Sequence, residues 1–417
     1  MVEAVARTEE THAAPNRTAG RRRVAFLNTH PIQYVAPLYA YLNQSPDIEP
    51  VALYLTDLSV RGDVDKQFGR TVVWDIDLLA GYEHHFVGSD WKTARPDSFL
   101  SLKGSGLWRA IGSGRFDALV LHGHNFLANL VALAAARFHR IPVFYKAETH
   151  LLLPRSRTKA ALRPLTLKPI FAQMHGFLAI SSLNRDFYRA LGVRDERIFS
   201  FPYTVDNDRY MASSALTPDE RRAKRAELGL AEGVPTIVYA SKFMPRKHPD
   251  DLIRAAQKLA RDGVELELLM VGTGEMESEL RALAAGEPRL KVVFAGFKNQ
   301  TELPAVLGAC DLFVLPSEDE PFGLIFNEAM CARLPVVASE EIGCVPDLVH
   351  SGDNGATFTA RDVDGLAEAM RPILADPELR ERMGRRSFEI IQGWNYQRNL
   401  EGLRSALATV PARGKKG

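Results

Sequence analysis

Cysteine is nearly absent from this 417-residue chain. Cys310, Cys331 and Cys344 are too few and too scattered for a disulfide framework or a zinc site. An excess of either charge is absent as well. Lys and Arg number 52 against 51 Asp and Glu, a net +1, so the strongly basic face of a nucleic-acid binder is not expected. No apolar run reaches the roughly eighteen residues that a membrane-spanning helix needs. The stretch MVEAVARTEETHAAPNRTAGRRR has no apolar core of signal-peptide length, which argues against secretion. What remains is a globular composition, 46% apolar and 25% charged, on a chain long enough for two or three domains. A cytoplasmic, reduced, enzyme-sized protein is expected.

Residues 1–20 are polar and aperiodic and read as a disordered leader. Beyond them, short apolar runs alternate with helical patterns. The first series of strands is read at 24–29, 51–55, 117–123, 142–148, 176–181 and 198–204. The second is read at 236–243, 266–272, 291–296, 312–317 and 335–339. Continuous apolar strands interleaved with helices predict parallel sheets covered on both faces. The polar, charged stretch 204–230 divides the two series. The expected architecture is therefore α/β, with two doubly wound Rossmann-like domains at 21–205 and 206–386 facing a central cleft. Residues 387–417 would form a closing helix and tail. Ligands of such sheets bind outside the carboxyl ends of the strands.

The turn after LFVLPS carries the clearest chemistry. In EDEPFGLIFNEAM, residues 318–330, Pro321 suits a first helical position, and Glu318 and Asp319 read as acids that cap a helix and complement its dipole. Glu328 resists that explanation. It lies among Ile325, Phe326, Ala329 and Met330, where a carboxylate needs donors to offset its desolvation. Two vicinal hydroxyls would supply them. Gly323, without a Cβ, would let a phosphate approach the N–H groups of the first helical turn. Together these residues read as a cradle for a sugar nucleotide.

The frame Glu320–(seven residues)–Glu328 resembles the E-x7-E region of the family 4 retaining glycosyltransferases of GT-B architecture. The resemblance runs through most of 236–358, over ASKFMPRKHPDDLIRAA, MVGTGEMESELRAL, VVFAGFKNQTELPAVLGACDLFVLPS and GCVPDLVHSGDNGATF in the family's order and spacing. It implies that Glu320 contacts the donor sugar and Glu328 the ribose. Lys242 and Lys247 would neutralise the donor diphosphate, where fixed cations stabilise the charge of the leaving group. Gly323, Leu324 and Phe297 complete the implied donor-binding set. Lys242 stands where arginine is usual, Cys344 where glycine is common and Asp347 where glutamate is common, so the donor's identity stays open.

The N-terminal half resembles the family less closely. NTHPIQYVAPLYAYL replaces its glycine-rich turn and is similar to one branch of the family, with His30 a candidate for the acceptor side or a plain turn residue. HGHNF is similar to the family's H-x-H segment, which implies that His124 lies near the reacting centre and that His122 is structural. Lys146, Glu148 and His150 end a strand at the same edge, their roles open.

Two other patterns are decoys. Asp75-Ile76-Asp77 spells a metal-binding D-x-D, but such triplets recur at 63–65 and 362–364, and the diphosphate already has lysine partners. No metal and no cofactor are expected. Gly272-Thr273-Gly274 begins like a dinucleotide fingerprint, yet Glu275, Glu277 and Glu279 would repel a pyrophosphate.

The expected partners are a nucleotide-sugar donor and a glycan, lipid-linked or small-molecule acceptor, without nucleic acid. Arg155, Arg157, Lys159, Arg163 and Lys168 form either a solvated helix face or a peripheral contact with anionic lipid over 155–168. The implied activity is sugar transfer to an acceptor hydroxyl with anomeric retention. The alternatives are an epimerase or phosphorylase on the same architecture, or a catalytically silent sugar-nucleotide binder.

Overall fold

A computed structural model of the protein describes residues 20–65, 70–88, 90–153 and 156–411. All of the expected polar leader but Gly20, and the last six residues, lie outside the described set. Fifteen strands occur among the described residues, at Arg22–Asn28 (β1), Ile48–Tyr54 (β2), Asp63–Asp65 (β3), Arg70–Val72 (β4), Glu83–Phe86 (β5), Ala118–His122 (β6), Val143–Lys146 (β7), Gly176–Ala179 (β8), Ile198–Ser200 (β9), Thr236–Ala240 (β10), Glu267–Val271 (β11), Lys291–Gly296 (β12), Leu312–Leu315 (β13), Val336–Ser339 (β14) and Gly355–Phe358 (β15).

Two sheets hold most of them. The first has the order β5-β2-β1-β6-β7-β8-β9 and the second the order β12-β11-β10-β13-β14-β15. Every pairing within both is parallel. Strands such as β2, β7, β10 and β13 are buried along their whole length, as a sheet covered on both faces requires. The two doubly wound units foreseen from the sequence are present.

Both orders reverse direction once. In the first sheet the reversal falls between β1 and β6, and in the second between β10 and β13. At such a point the connections leave on opposite faces and open a crevice at the strand ends. Topology thus points to Asn28–His30 and His122–His124 on one side, and to Ser241–Lys247 and Ser317–Glu320 on the other.

The stretch 204–230 forms two helices, Asn207–Ser214 and Pro218–Glu227. The second starts with a capping box in which Thr217 and Glu220 satisfy each other's backbone N–H. The C-terminal helix Tyr396–Ala408 returns to the first sheet. There Leu400, Leu403, Ala406 and Leu407 join the core made by Val24, Phe26, Ala52 and Val120.

Candidate active site

The second sheet supplies a cluster of charge. Lys242 lies in the turn after β10, and Lys247 ends the short 3-10 turn Pro245–Lys247. Two glycines let this loop pack closely. A Cβ on Gly272 would lie 2.0 Å from the Ser241 carbonyl oxygen, and one on Gly274 would lie 2.3 Å from that of Phe243. The GTG triplet therefore seats the lysine loop.

The loop after β13 is stitched to the same turn. Glu318 N–H donates to the Arg246 carbonyl at 2.9 Å, and His248 Nε2 meets Glu318 Oε2 at 2.7 Å. The expectation that Glu318 and Asp319 cap a helix is wrong. The helix begins only at Ile325, because Asp319 (φ +52°) and Gly323 (φ +89°) are left-handed and break any helical run through Pro321. Glu318 is a loop-to-loop tie instead.

Lys247 and Glu320 meet directly, and Arg246 Nη1 stands 3.6 Å from the same Glu320 oxygen. Burial and the nearby Arg246 and Lys242 cations push the Lys247 ammonium down to about 7. Arg246 was not foreseen, although its place beside Lys247 in PRK was a signal.

Glu328 lies one turn into the helix Ile325–Cys331 and is 7% exposed. Burial raises its carboxyl to about 7, against the Tyr210 hydroxyl and the Arg209 charge. Arg209 and Tyr210 both also reach Gln300. Leu324 stands at that helix's N-cap. The space beside Gly323 is taken by the protein itself, since a Cβ there would lie 2.8 Å from Ile342 Cγ2. Phe297 follows β12 and faces Trp74 of the first half, with ring centroids 6.3 Å apart. Asn299 Nδ2 donates to the Val73 carbonyl at 2.8 Å, and Thr301 N–H to Asp75 Oδ2 at 3.1 Å, which closes this end of the cleft. Asp77 accepts from Leu79 N–H, so the two carboxylates of that triplet have separate partners.

The first sheet faces this cluster with a buried polar network. His122 Nδ1 lies 3.1 Å from Asn28 Oδ1, and Asn28 Nδ2 donates to the Tyr39 hydroxyl at 2.8 Å. His122 Nε2 lies 3.1 Å from the Tyr203 hydroxyl, which donates to Glu148 Oε1. The Lys146 ammonium sits 4.3 Å above the Tyr203 ring, and burial lowers it to about 8. His30 bonds Thr29 at 2.9 Å, and burial with His122 nearby lowers it to about 4, so it is neutral at pH 7. His124 Nδ1 meets the Tyr145 hydroxyl at 2.6 Å. His150 Nε2 reaches across to the Glu320 carbonyl at 3.2 Å. Sequence reasoning overlooked Tyr34 and Tyr203 and left Glu148 and His150 without a role. For Tyr203, Glu148 and His150 the signal was a place just past a strand's carboxyl end, whereas Tyr34 lies in the turn before the helix Ala36–Asn43.

Residues 220–389 match the family model described as glycosyl transferases group 1, and residues 69–204 match the glycosyl transferase 4-like domain. A D-inositol 3-phosphate glycosyltransferase of Nocardia farcinica is 29% identical over 305 residues, 70% of this chain and 66% of that protein. A GDP-mannose-dependent monoacylated alpha-(1-6)-phosphatidylinositol monomannoside mannosyltransferase of Corynebacterium glutamicum is 30% identical over 218 residues, 50% of this chain and 56% of that protein. The chain thus spans two thirds or less of these relatives' lengths. Among solved structures, Anabaena HepE in complex with UDP and glucose superposes with a TM-score of 0.68 at 19% identity, over 93% of this chain and 100% of that one. Sucrose-phosphate synthase from Thermosynechococcus elongatus gives 0.70 at 18%, over 92% and 98%. These likenesses identify the fold as GT-B. The two family matches lie end to end over most of the chain, and the chain belongs to the family 4 glycosyltransferases.

Proposed function

We propose that the protein transfers a sugar from a nucleoside diphosphate to an acceptor hydroxyl with retention of anomeric configuration. The observation that carries this reading is the contact of Lys247 with Glu320 at the reversal point of the second sheet, with Lys242 and Arg246 beside it. A bound diphosphate would replace Glu320 as the partner of Lys247. That exchange frees the Glu320 carboxylate for the sugar hydroxyls and leaves the cations on the charge that develops as the phosphate departs. Glu328 would accept from the ribose, and Phe297 would line the base end of the donor.

Retention follows from a front-face route. The bond from the anomeric carbon to the phosphate oxygen breaks, and both electrons stay on that oxygen. The acceptor oxygen bonds from the same face, and its proton passes to the departing phosphate. Neither Glu320 nor Glu328 is then needed as a nucleophile, unlike the paired carboxylates of retaining glycosidases. Closure of the cleft would limit hydrolysis.

A thermal-shift panel of nucleotide sugars tests the donor assignment, with proton NMR of the product for its anomeric configuration. Absence of any shift with UDP, GDP or ADP sugars refutes the reading. The inverted anomer refutes the front-face route alone. Glycan, lipid-linked glycan or glycoconjugate assembly is the setting we propose.

Peripheral contact with lipid belongs to the same proposal. Leu162 and Leu165 are exposed on the helix Arg157–Ala172, which also carries Lys168, and Leu151 and Leu152 are exposed in the segment before it. Arg163 does not contribute freely, because it stacks on Phe187 and donates to Thr149. Arg155 and the side chains of Arg157 and Lys159 lie outside the described residues. Failure to co-sediment with anionic liposomes at low salt would remove the lipid contact. No helix among the described residues is long and apolar enough to cross a membrane.

A further inference from the structure

Glu148 is the exposed end of an otherwise buried network. Its contacts come from the Tyr203 hydroxyl, the Tyr34 hydroxyl at 3.4 Å and His122 Nε2 at 3.5 Å, and all of them fall on Oε1. Among the described residues no contact falls on Oε2, and the side chain is 40% exposed. One oxygen is fixed by three groups from three parts of the chain, and the other is open. A carboxylate held that way loses little further freedom when it accepts a hydrogen bond.

The network also places Glu148 opposite the donor cluster. The Tyr203 ring packs edge-on against Phe322 at 5.4 Å, two residues from Glu320, and His150, two residues from Glu148, touches the Glu320 carbonyl. The cation nearest Glu148 is withdrawn from the cleft. Lys146 is 5% exposed and sits over the rings of Tyr203 and Phe201. His30 and His122 are kept neutral by burial. The surface offered at this point is therefore anionic.

We propose that Glu148 is the acceptor-binding carboxylate of the first domain. Its Oε2 accepts a hydrogen bond from a hydroxyl or ammonium neighbouring the nucleophilic hydroxyl, so the acceptor presents an uncharged polyol or an amino sugar there, and not a phosphate or carboxylate. Glu148 takes no proton in the transfer, since the nucleophile's proton goes to the departing phosphate. The inference rests on the glycosyltransferase reading.

The test is saturation-transfer NMR on the full chain with saturating UDP, GDP or ADP, whichever stabilises it. The probes are myo-inositol, glucosamine and glucose 6-phosphate. Signal is expected for myo-inositol or glucosamine and not for glucose 6-phosphate. Glu148→Gln should lose that signal and raise the acceptor KM at least tenfold in nucleotide-release assays, with the nucleotide Kd unchanged within twofold. Tyr203→Phe, which removes one donor to Oε1, should raise the acceptor KM by a smaller factor. Equal signal in Glu148→Gln, no signal from either uncharged or amino probe, or preferential binding of glucose 6-phosphate would overturn the inference. A wild type that binds none of UDP, GDP and ADP would instead sink the donor reading on which it rests.

Discussion

At the scale of single residues, the site is governed by ionisable groups taken out of water. On the proposed assignment Glu320→Ala would remove one or two charge-assisted hydrogen bonds to the donor, each about 1.5–3 kcal/mol, so kcat/KM should fall roughly ten- to ten-thousand-fold. Near-normal transfer by that variant would show that Glu320 is misassigned. Nucleotide affinity should also have two pH limbs. Lys247 must be protonated to hold a diphosphate, and its free-state value near 7 makes affinity fall as pH rises above that point. Glu328 must be ionised to accept from ribose, and its raised value near 7 makes affinity fall as pH drops below it. Calorimetry with UDP or GDP should therefore give a maximum near neutrality. Lys247→Arg should flatten the alkaline limb and Glu328→Gln the acidic one. The E-x7-E spacing made Glu320 and Glu328 legible in the sequence. The Asn28–His122–Tyr203–Glu148 chain was not, because it joins four strand ends that only topology brings together.

At the scale of elements, burying the Glu328 carboxyl carries a cost to stability. The Glu328 carboxyl is raised from its ordinary 4.5 to about 7, so between these values the unfolded chain ionises first and stability falls as pH rises. Glu328→Gln should therefore raise the Tm at pH 7.5 while weakening nucleotide binding; a lower Tm would contradict the burial argument. The lysine loop depends on close backbone packing, which side-chain chemistry alone does not reveal. Gly274→Ala would drive a Cβ into the Phe243 carbonyl, and overpacking of this kind costs about 1–3 kcal/mol. Its nucleotide Kd should rise more than tenfold as Lys242 and Lys247 shift, measured by calorimetry below the variant's Tm. Strands were readable wherever they are continuous apolar runs. β5, EHHF, was not, because it is an edge strand whose Glu83 pairs with the buried Arg23 and whose polarity hides its extended form.

At the scale of the whole molecule, chain order and packing order differ. The helix Tyr396–Ala408 follows the second unit in sequence but buries its apolar stripe on the first, where Arg404 pairs with Asp47 at 2.7 Å and Asn399 bonds Thr204 and the Pro202 carbonyl. Its amphipathic pattern announced a closing helix but not which sheet it closes, because the pattern marks a face without naming the partner. Leu403 is fully buried in that contact, and Leu→Ala at such a site costs about 2–5 kcal/mol. The loss should fall on the first unit. Nucleotide, by contrast, should stabilise the second, by about 2.7 kcal/mol at a hundred times its Kd. Calorimetric unfolding of Leu403→Ala with and without UDP or GDP separates the two effects. The expected result is an early transition that the substitution lowers and the nucleotide leaves in place, followed by a later one that only the nucleotide raises. A single transition moved by both would mean that the strap couples the two units into one cooperative body, and that the cleft opens and closes only within the play the strap allows.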